Sequence, residues 1–325
     1  MGGVGRPEDW AMTGEPRVAV IGTGGWGKNH VRVLSELGSL AAICDIDATR
    51  AAAYSEKFRV KGYTSVDEML AAENPDGVTI CTPASTHFAV ATKTLRAGVN
   101  TFVEKPMTAT VKEAEDLIKV AEASGKTLTV GFIERFNPAI SELKKITKEG
   151  KLGRPILFEY HRENSRGENI TDVGVVKDAS VHDIDTARWL FGEEPKTVYA
   201  RVGSVMGKNE DFAAILLGFS GERMAFIITN WVTPKRVRQL DAVFERGVVT
   251  VNFITQEMQV HEEIETKVPQ HTFQEPLTLE LKEFLAAIRE KRPALVTGKD
   301  GLSVIRIAEA VLASSQTGSP IFLAR

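Results

Sequence analysis

Residues 17–27 read RVAVIGTGGWG. Arg17–Ile21 is a short apolar run suited to a strand buried on both faces, and it runs directly into Gly22-Thr23-Gly24-Gly25-Trp26-Gly27. Beyond that loop, Lys28–Leu37 carries Val31, Val33, Leu34 and Leu37 at helical spacing. A G-x-G-x-x-G loop between a strand and a helix is built to hold a pyrophosphate. Its first glycine permits the tight turn, its second lets the backbone approach the ligand, and its third lets helix and strand pack closely. The helix N-terminus then presents free N–H groups to the phosphates. Eighteen residues past Gly27, Asp45 ends the next apolar run. A carboxylate there accepts hydrogen bonds from ribose hydroxyls and repels a 2′-phosphate, so the site reads as one for NAD rather than NADP, although Arg50 lies nearby.

Outward from this loop, short apolar runs alternate with helix-patterned stretches. Strands are expected at Leu40–Cys44, Gly77–Cys81, Thr101–Val103 and Thr127–Val130, with helices at Lys28–Leu37, Asp47–Phe58, His87–Ala97 and after Thr110. Thr110 and Glu113 form a capping-box pattern, and Gly125 ends that helix. The alternation implies a doubly wound parallel sheet over residues 17–134. The rhythm then changes. Helices at Pro138–Lys148 and Asp178–Phe191 flank a strand at Ile156–His161. Strands follow at Thr197–Val202, Phe212–Phe219, Arg223–Trp231, Gln239–Phe244 and Val248–Phe253, with a hairpin turn at Ser220–Gly221. Helices at Leu277–Glu290 and Leu302–Ala313 and a short strand at Pro320–Leu323 close the chain. Residues 135–325 thus read as an α+β domain with a large, mostly antiparallel sheet. Residues 1–16, with Trp10, read as a loose extension.

The 325 residues are 43% hydrophobic and 26% charged, which is ordinary globular composition, and the length favours two domains over one. Forty Lys and Arg against 43 Asp and Glu leave a net charge of −3, so no basic field exists for a nucleic-acid backbone or an anionic membrane. Two cysteines, Cys44 and Cys81, form no CxxC; both end apolar runs and read as inert core residues of a reducing compartment. No signal peptide or membrane-spanning run is visible, and the chain reads as cytoplasmic.

Two groups could carry chemistry. Glu104-Lys105-Pro106 follows the strand ending at Val103, and the carboxyl ends of parallel strands are where ligands bind. An ammonium there could face a reacting oxygen, although such a tripeptide in isolation is more often a solvated loop. Asp178, His182 and Asp185 fall at i, i+4 and i+7 and would share one helix face. A histidine flanked by carboxylates could be a general base, a metal ligand or part of a charge cluster. His30, His87, His161, His261 and His271 are scattered without ligand spacing.

These motifs in order, together with Thr82-Pro83 and His87, and with Gly131-Phe132 before Arg135-Phe136-Asn137-Pro138, resemble the Gfo/Idh/MocA oxidoreductases from Arg17 to the C-terminus. The resemblance implies catalysis by Lys105, Asp178 and His182 without a metal. It implies cofactor contacts from residues 22–27, Asp45, Thr82, Pro83, His87, Glu104 and Lys105. Substrate contacts would come from Lys105, Arg135, Asn137, Asp185 and, for the phosphates of a nucleotide sugar, Arg162 and Arg236. Lys235, Arg238 and Arg166 extend that basic set. The Lys105–Pro106 bond is expected cis, and the large sheet is expected to pair subunits into homodimers or homotetramers. GFIERFNPA, DVGVV before HDID, and NWVTPKRVR resemble the branch acting on C3 of UDP-N-acetylglucosamine. An inositol, polyol or free-sugar dehydrogenase, an NAD-recycling glycosidase and a cofactor-bound sensor remain open. In the dehydrogenase reading His182 is the base, held and made more basic by Asp178, and Lys105 stabilises the alkoxide; the two could exchange roles.

Overall fold

The computed structural model describes residues 14–165, 173–270 and 272–323. Trp10, Arg166 and His271 lie outside the described residues. The first sheet holds six parallel strands in the order β3-β2-β1-β4-β5-β6. They are β1 (Val18–Ile21), β2 (Leu40–Cys44), β3 (Lys61–Tyr63), β4 (Gly77–Ile80), β5 (Asn100–Val103) and β6 (Leu128–Val130). Between them run α1 (Gly27–Glu36), α2 (Ala48–Phe58), α3 (Val66–Glu73), α4 (His87–Arg96) and α5 (Val111–Ser124). The order reverses between β1 and β4, so the loop after β1 stands at the switch point where such sheets take ligands. β3 and α3 escaped the sequence reading, because a three-residue edge strand with two exposed positions carries no apolar run.

The second sheet holds nine strands in the order β14-β13-β12-β11-β7-β10-β9-β8-β15. They are β7 (Pro155–Ser165), β8 (Thr197–Gly203), β9 (Phe212–Gly218), β10 (Met224–Asn230), β11 (Val232–Phe244), β12 (Gly247–Asn252), β13 (Met258–His261), β14 (Thr266–Lys267) and β15 (Ile321–Phe322). All neighbours pair antiparallel except β7 with β10. The helices are α6 (Pro138–Glu149), α7 (Val181–Phe191), α8 (Pro276–Glu290) and α9 (Gly298–Thr317). Gly221 at φ +62° and Glu222 at φ +66° make the tight turn joining β9 to β10. The expected helix over 178–191 is divided: residues 176–180 form a π-helical turn, and α7 begins only at Val181.

The chain forms two compact units that interleave in sequence. The first takes residues up to Glu104, Asp116–Val130 and Glu280–Thr297, and the second takes the remainder. A single cut at 134/135 does not coincide with this division. The reason is visible at Gly77, where an added Cβ would lie 2.8 Å from Ile288 and 3.2 Å from Phe284. Most of α8 therefore packs on the first sheet, with Phe284 edge-on to Phe102 at 5.7 Å. Phe284→Ala should destabilise the first unit by about 3–5 kcal/mol. In a urea titration, NAD binding and first-unit structure should be lost together at lower denaturant.

Candidate active site

The glycines after β1 divide by what their missing side chains leave room for. At Gly22, with φ +86°, a Cβ would sit 2.9 Å from the backbone of Cys81 and Thr82; at Gly27 it would sit 1.9 Å from the Gly22 carbonyl oxygen. Both are dictated by the protein's own packing. Gly24 is different: a Cβ there meets only the flexible Arg50 guanidinium, at 3.4 Å. That open approach fits a ligand lying against the backbone. α1 begins beside it with no side-chain cap and no acidic residue in its first turn, so no carboxylate of that turn opposes an anion at the positive end of the helix.

Asp45 is buried, and its Oδ2 accepts from the N–H of Thr23 at 2.8 Å and its hydroxyl at 2.9 Å. Oδ1 accepts from the N–H of Asp47 at 3.0 Å, and Arg50 lies 3.2 Å from Oδ2. Burial acts upward on this carboxyl, but the Thr23 and Asp47 donors and the Arg50 charge outweigh it and hold the pKa below its ordinary value. Asp45 is thus a fixed anion tied to the glycine loop. His87 is buried and its Nε2 bonds the Thr82 carbonyl at 2.9 Å, while the Thr86 hydroxyl donates to that of Thr82 at 2.8 Å. His87 therefore shapes the Thr82-Pro83 loop from beneath.

Glu104 anchors a group that sequence reasoning missed. Its Oε1 accepts from the Trp26 indole N–H at 3.0 Å and from His30 Nε2 at 3.0 Å. His30 lies three residues past the last glycine, in the first turn of α1, and that spacing was the available signal. Burial raises the Cys44 thiol to about 11 and the Cys81 thiol well above its ordinary value, so neither is a nucleophile at neutral pH.

In the second unit, Lys105 begins a cis Lys-Pro bond, as the sequence resemblance implied. Its Nζ donates to the Asp178 carboxylate at 2.7 Å and to the Asp178 carbonyl at 2.9 Å. Asp178 is therefore the partner of Lys105, and it does not hold His182 as expected. Asp178 lies within the π-helical turn that precedes α7, and His182 within α7 itself. His182 Nδ1 is buried and has no hydrogen-bond partner among the described residues. Burial of the ring, then the charges on Lys105, Arg162 and Arg238, hold its pKa well below 6.5, so the imidazole is neutral at pH 7.

Four expected substrate ligands have buried protein partners instead. Arg135 binds Asp185 through Nε and NH2 at 2.7 and 2.6 Å and reaches Asp300 at 2.8 Å. Arg162, 2% exposed, binds Asp183 through Nε at 2.9 Å and NH2 at 2.7 Å, and Glu134 through NH1 at 3.1 Å. Asn137 caps α6 through the Ala139 N–H and donates to the Phe253 carbonyl at 3.0 Å. Arg236 stands exposed on β11. Among the described residues no cluster of three or more His, Cys, Asp or Glu is arranged to hold a metal.

Two family models cover most of the chain: an oxidoreductase family with an NAD-binding Rossmann fold over residues 16–132, and the GFO/IDH/MocA C-terminal domain over residues 140–250. UDP-N-acetylglucosamine 3-dehydrogenase of Acidithiobacillus ferrooxidans is 30% identical over 302 residues, 90% of this chain and 95% of its own. This chain belongs to the Gfo/Idh/MocA oxidoreductase family. A solved structure of that A. ferrooxidans enzyme superposes with a TM-score of 0.87 at 29% identity, covering 93% of this chain and 98% of its own. Inositol 2-dehydrogenase of Rubrobacter xylanophilus is 28% identical over 93% of this chain and 92% of its own. The protein is an NAD-binding oxidoreductase of this family, and no helix among its described residues is long and apolar enough to cross a membrane.

The two kinds of glycine can be told apart. Gly24→Ala should leave the unliganded thermal midpoint unchanged while raising the Kd for NAD about tenfold, or about 1.4 kcal/mol. Gly27→Ala should unfold or destabilise the first unit before any ligand is added; thermal melts and calorimetry on both variants read the difference.

Proposed function

We propose that this protein is an NAD-dependent dehydrogenase of a nucleotide sugar, oxidising the C3 hydroxyl of a substrate such as UDP-N-acetylglucosamine to the ketone. The observation that carries this reading is a fixed cation and a neutral imidazole in one unit: Lys105 held by Asp178, and His182. The likeness to the 3-dehydrogenase over 90% of the chain supports the substrate.

NAD, when bound, supplies the acceptor for the hydride that leaves the sugar carbon. The hydroxyl must lose its proton in the same event so that its O–H electrons become the second C=O bond, and a secondary alcohol is far too weak an acid to do so unaided at pH 7. His182 takes that proton. Its Nδ1 is closed off from solvent, so the accepting atom is Nε2. Lys105 offers positive charge and a donor to the developing alkoxide, and the two contacts from Asp178 fix where that charge sits. Thr23 and Asp45 hold the cofactor loop, with Asp45 favouring NAD over NADP. Arg135, Asn137, Arg162 and Asp185 act as positioning residues, and Arg236 is a rim cation for phosphate. A second reading, a neutral polyol such as an inositol, gains from the enclosure of Arg135 and Arg162 and from the 28% likeness to an inositol 2-dehydrogenase.

The large sheet supports pairing with a second copy. Tyr199, Leu216 and Phe226 lie in direct register across β8, β9 and β10 and are all exposed, making an apolar row on one face. Phe226→Glu should convert a dimer or tetramer into smaller species by sedimentation.

The test of function is NADH formation with nucleotide sugars, free sugars and inositols. UDP-N-acetylglucosamine should be turned over with stoichiometric NADH; turnover of inositol alone would favour the second reading, and release of a leaving group without net NADH would reveal a glycosidase. Lys105→Met and His182→Ala should each lower kcat by about a hundredfold or more while NAD still binds. Protonation of His182 abolishes the base, and its pKa is depressed. The acid limb of kcat/KM should therefore fall below pH 6.5, leaving activity flat between there and neutrality.

A further inference from the structure

Among the described residues, Arg238 forms no hydrogen bond to a carboxylate and only a long ion pair with Glu134. Arg238 on β11 lies directly opposite Arg162 on β7 in the antiparallel register. Like charges so placed repel each other, unless carboxylates are shared between them. Here the sharing is unequal. Arg162 takes Asp183 through Nε and NH2 and Glu134 through NH1. Arg238 is left 3.9 Å from Glu134, beyond hydrogen-bond reach, and its Nε is buried with no partner among the described residues. A buried guanidinium N–H without an acceptor is costly. Burial and the facing Arg162 charge accordingly lower the Arg238 pKa to about 10. The Arg238 charge is also felt at the His182 ring.

We propose that Arg238, in place of Arg162, is the charge-reading residue of the site and receives an anionic oxygen of the substrate: the phosphate joined to the sugar. The assignment rests on the nucleotide-sugar reading. A guanidinium binds phosphate through a rigid fork of N–H donors, and with Nε closed off the terminal nitrogens of this side chain, 31% exposed, make the contact. The charged groups around His182 are Lys105 with Asp178, Arg162 with Asp183 and Glu134, and Arg238. Of these cations only Arg238 lacks a hydrogen-bonded carboxylate. A phosphate arriving there cancels one of the charges that weaken the imidazole, so the base strengthens when the substrate is in place.

Calorimetry on the NAD-loaded protein tests this with two probes, N-acetylglucosamine 1-phosphate and N-acetylglucosamine. The phosphate should bind the unmodified protein at least tenfold more tightly than the neutral sugar. Arg238→Met should remove most of that preference with NAD affinity unchanged. Arg238→Lys, which keeps the charge without the fork, should lose part of it at an unchanged thermal midpoint and so guards against a folding defect. The His182 ring, followed by NMR, should titrate at higher pH with the phosphate bound, and only when Arg238 is present. A tenfold preference that survives Arg238→Met overturns the assignment to Arg238 and leaves the nucleotide-sugar reading standing. No preference in the unmodified protein overturns that reading itself, and the ligand assigned here with it.

Discussion

Everything at the catalytic end of the second unit depends on how α7 is clamped. Asp183 and Asp185 leave this helix two residues apart, and each meets an arginine from elsewhere in the chain. Arg162 comes from β7 and Arg135 from the 3-10 turn Ile133–Phe136 before α6. Both arginines are nearly inaccessible, and burial pushes both carboxyls upward against the pull of their partners. Such pairs add little net stability compared with well-packed apolar side chains, because desolvation consumes the attraction. Breaking one is another matter: an uncompensated buried charge costs about 3–5 kcal/mol. The clamp therefore acts as a constraint on register. Rotating or sliding α7 would break two ion pairs at once, and His182 directly precedes Asp183 on the same helix.

The first unit has its own constraint in Glu104. One carboxylate oxygen holds both the indole of the glycine loop and a histidine of α1, and the next peptide bond carries the chain into the second unit at Lys105. Trp26 is the exposed end of this group, and His30 is its buried end.

How much of this the sequence disclosed follows from the distance over which each feature is decided. The strand, glycine loop and helix of residues 17–37 are local, and the structure has them within a residue of the reading. The capping box is also local: Glu113 N–H reaches the Thr110 hydroxyl at 3.2 Å, and the Thr110 N–H reaches Glu113 at 3.1 Å. β11 begins seven residues earlier than expected, because its first half carries Pro234 and exposed Lys235 and Arg236 and shows no apolar alternation. Side-chain partners are decided globally. Asp178 finds Lys105 across 73 residues and Asp185 finds Arg135 across 50, so a helical-face reading could only pair them with the nearest histidine. Arg162 did carry a local signal. It stands in phase with Phe158 and Tyr160, the buried side of β7, which is no place for a ligand-seeking rim residue.

The same positive charge that weakens the base also assists the reaction, and the balance between the two is a matter of distance. Lys105 lowers the pKa of the imidazolium and, in the proposed reaction, that of the sugar hydroxyl. Proton transfer responds to the difference. The ammonium is held by Asp178 and not by the histidine, so a hydroxyl that hydrogen-bonds it lies nearer to the charge than the ring does. Coulomb energy falls with separation, and the nearer group gains more. The imidazole is then neutral at pH 7, and in the proposed reaction the alkoxide would be stabilised more than the imidazolium is penalised, with no free carboxylate needed beside the histidine. Pairing Asp178 with His182 would have raised the base's pKa at the cost of leaving Lys105 unanchored. The chain has the other arrangement, with Asp178 on Lys105 through both its carboxylate and its carbonyl.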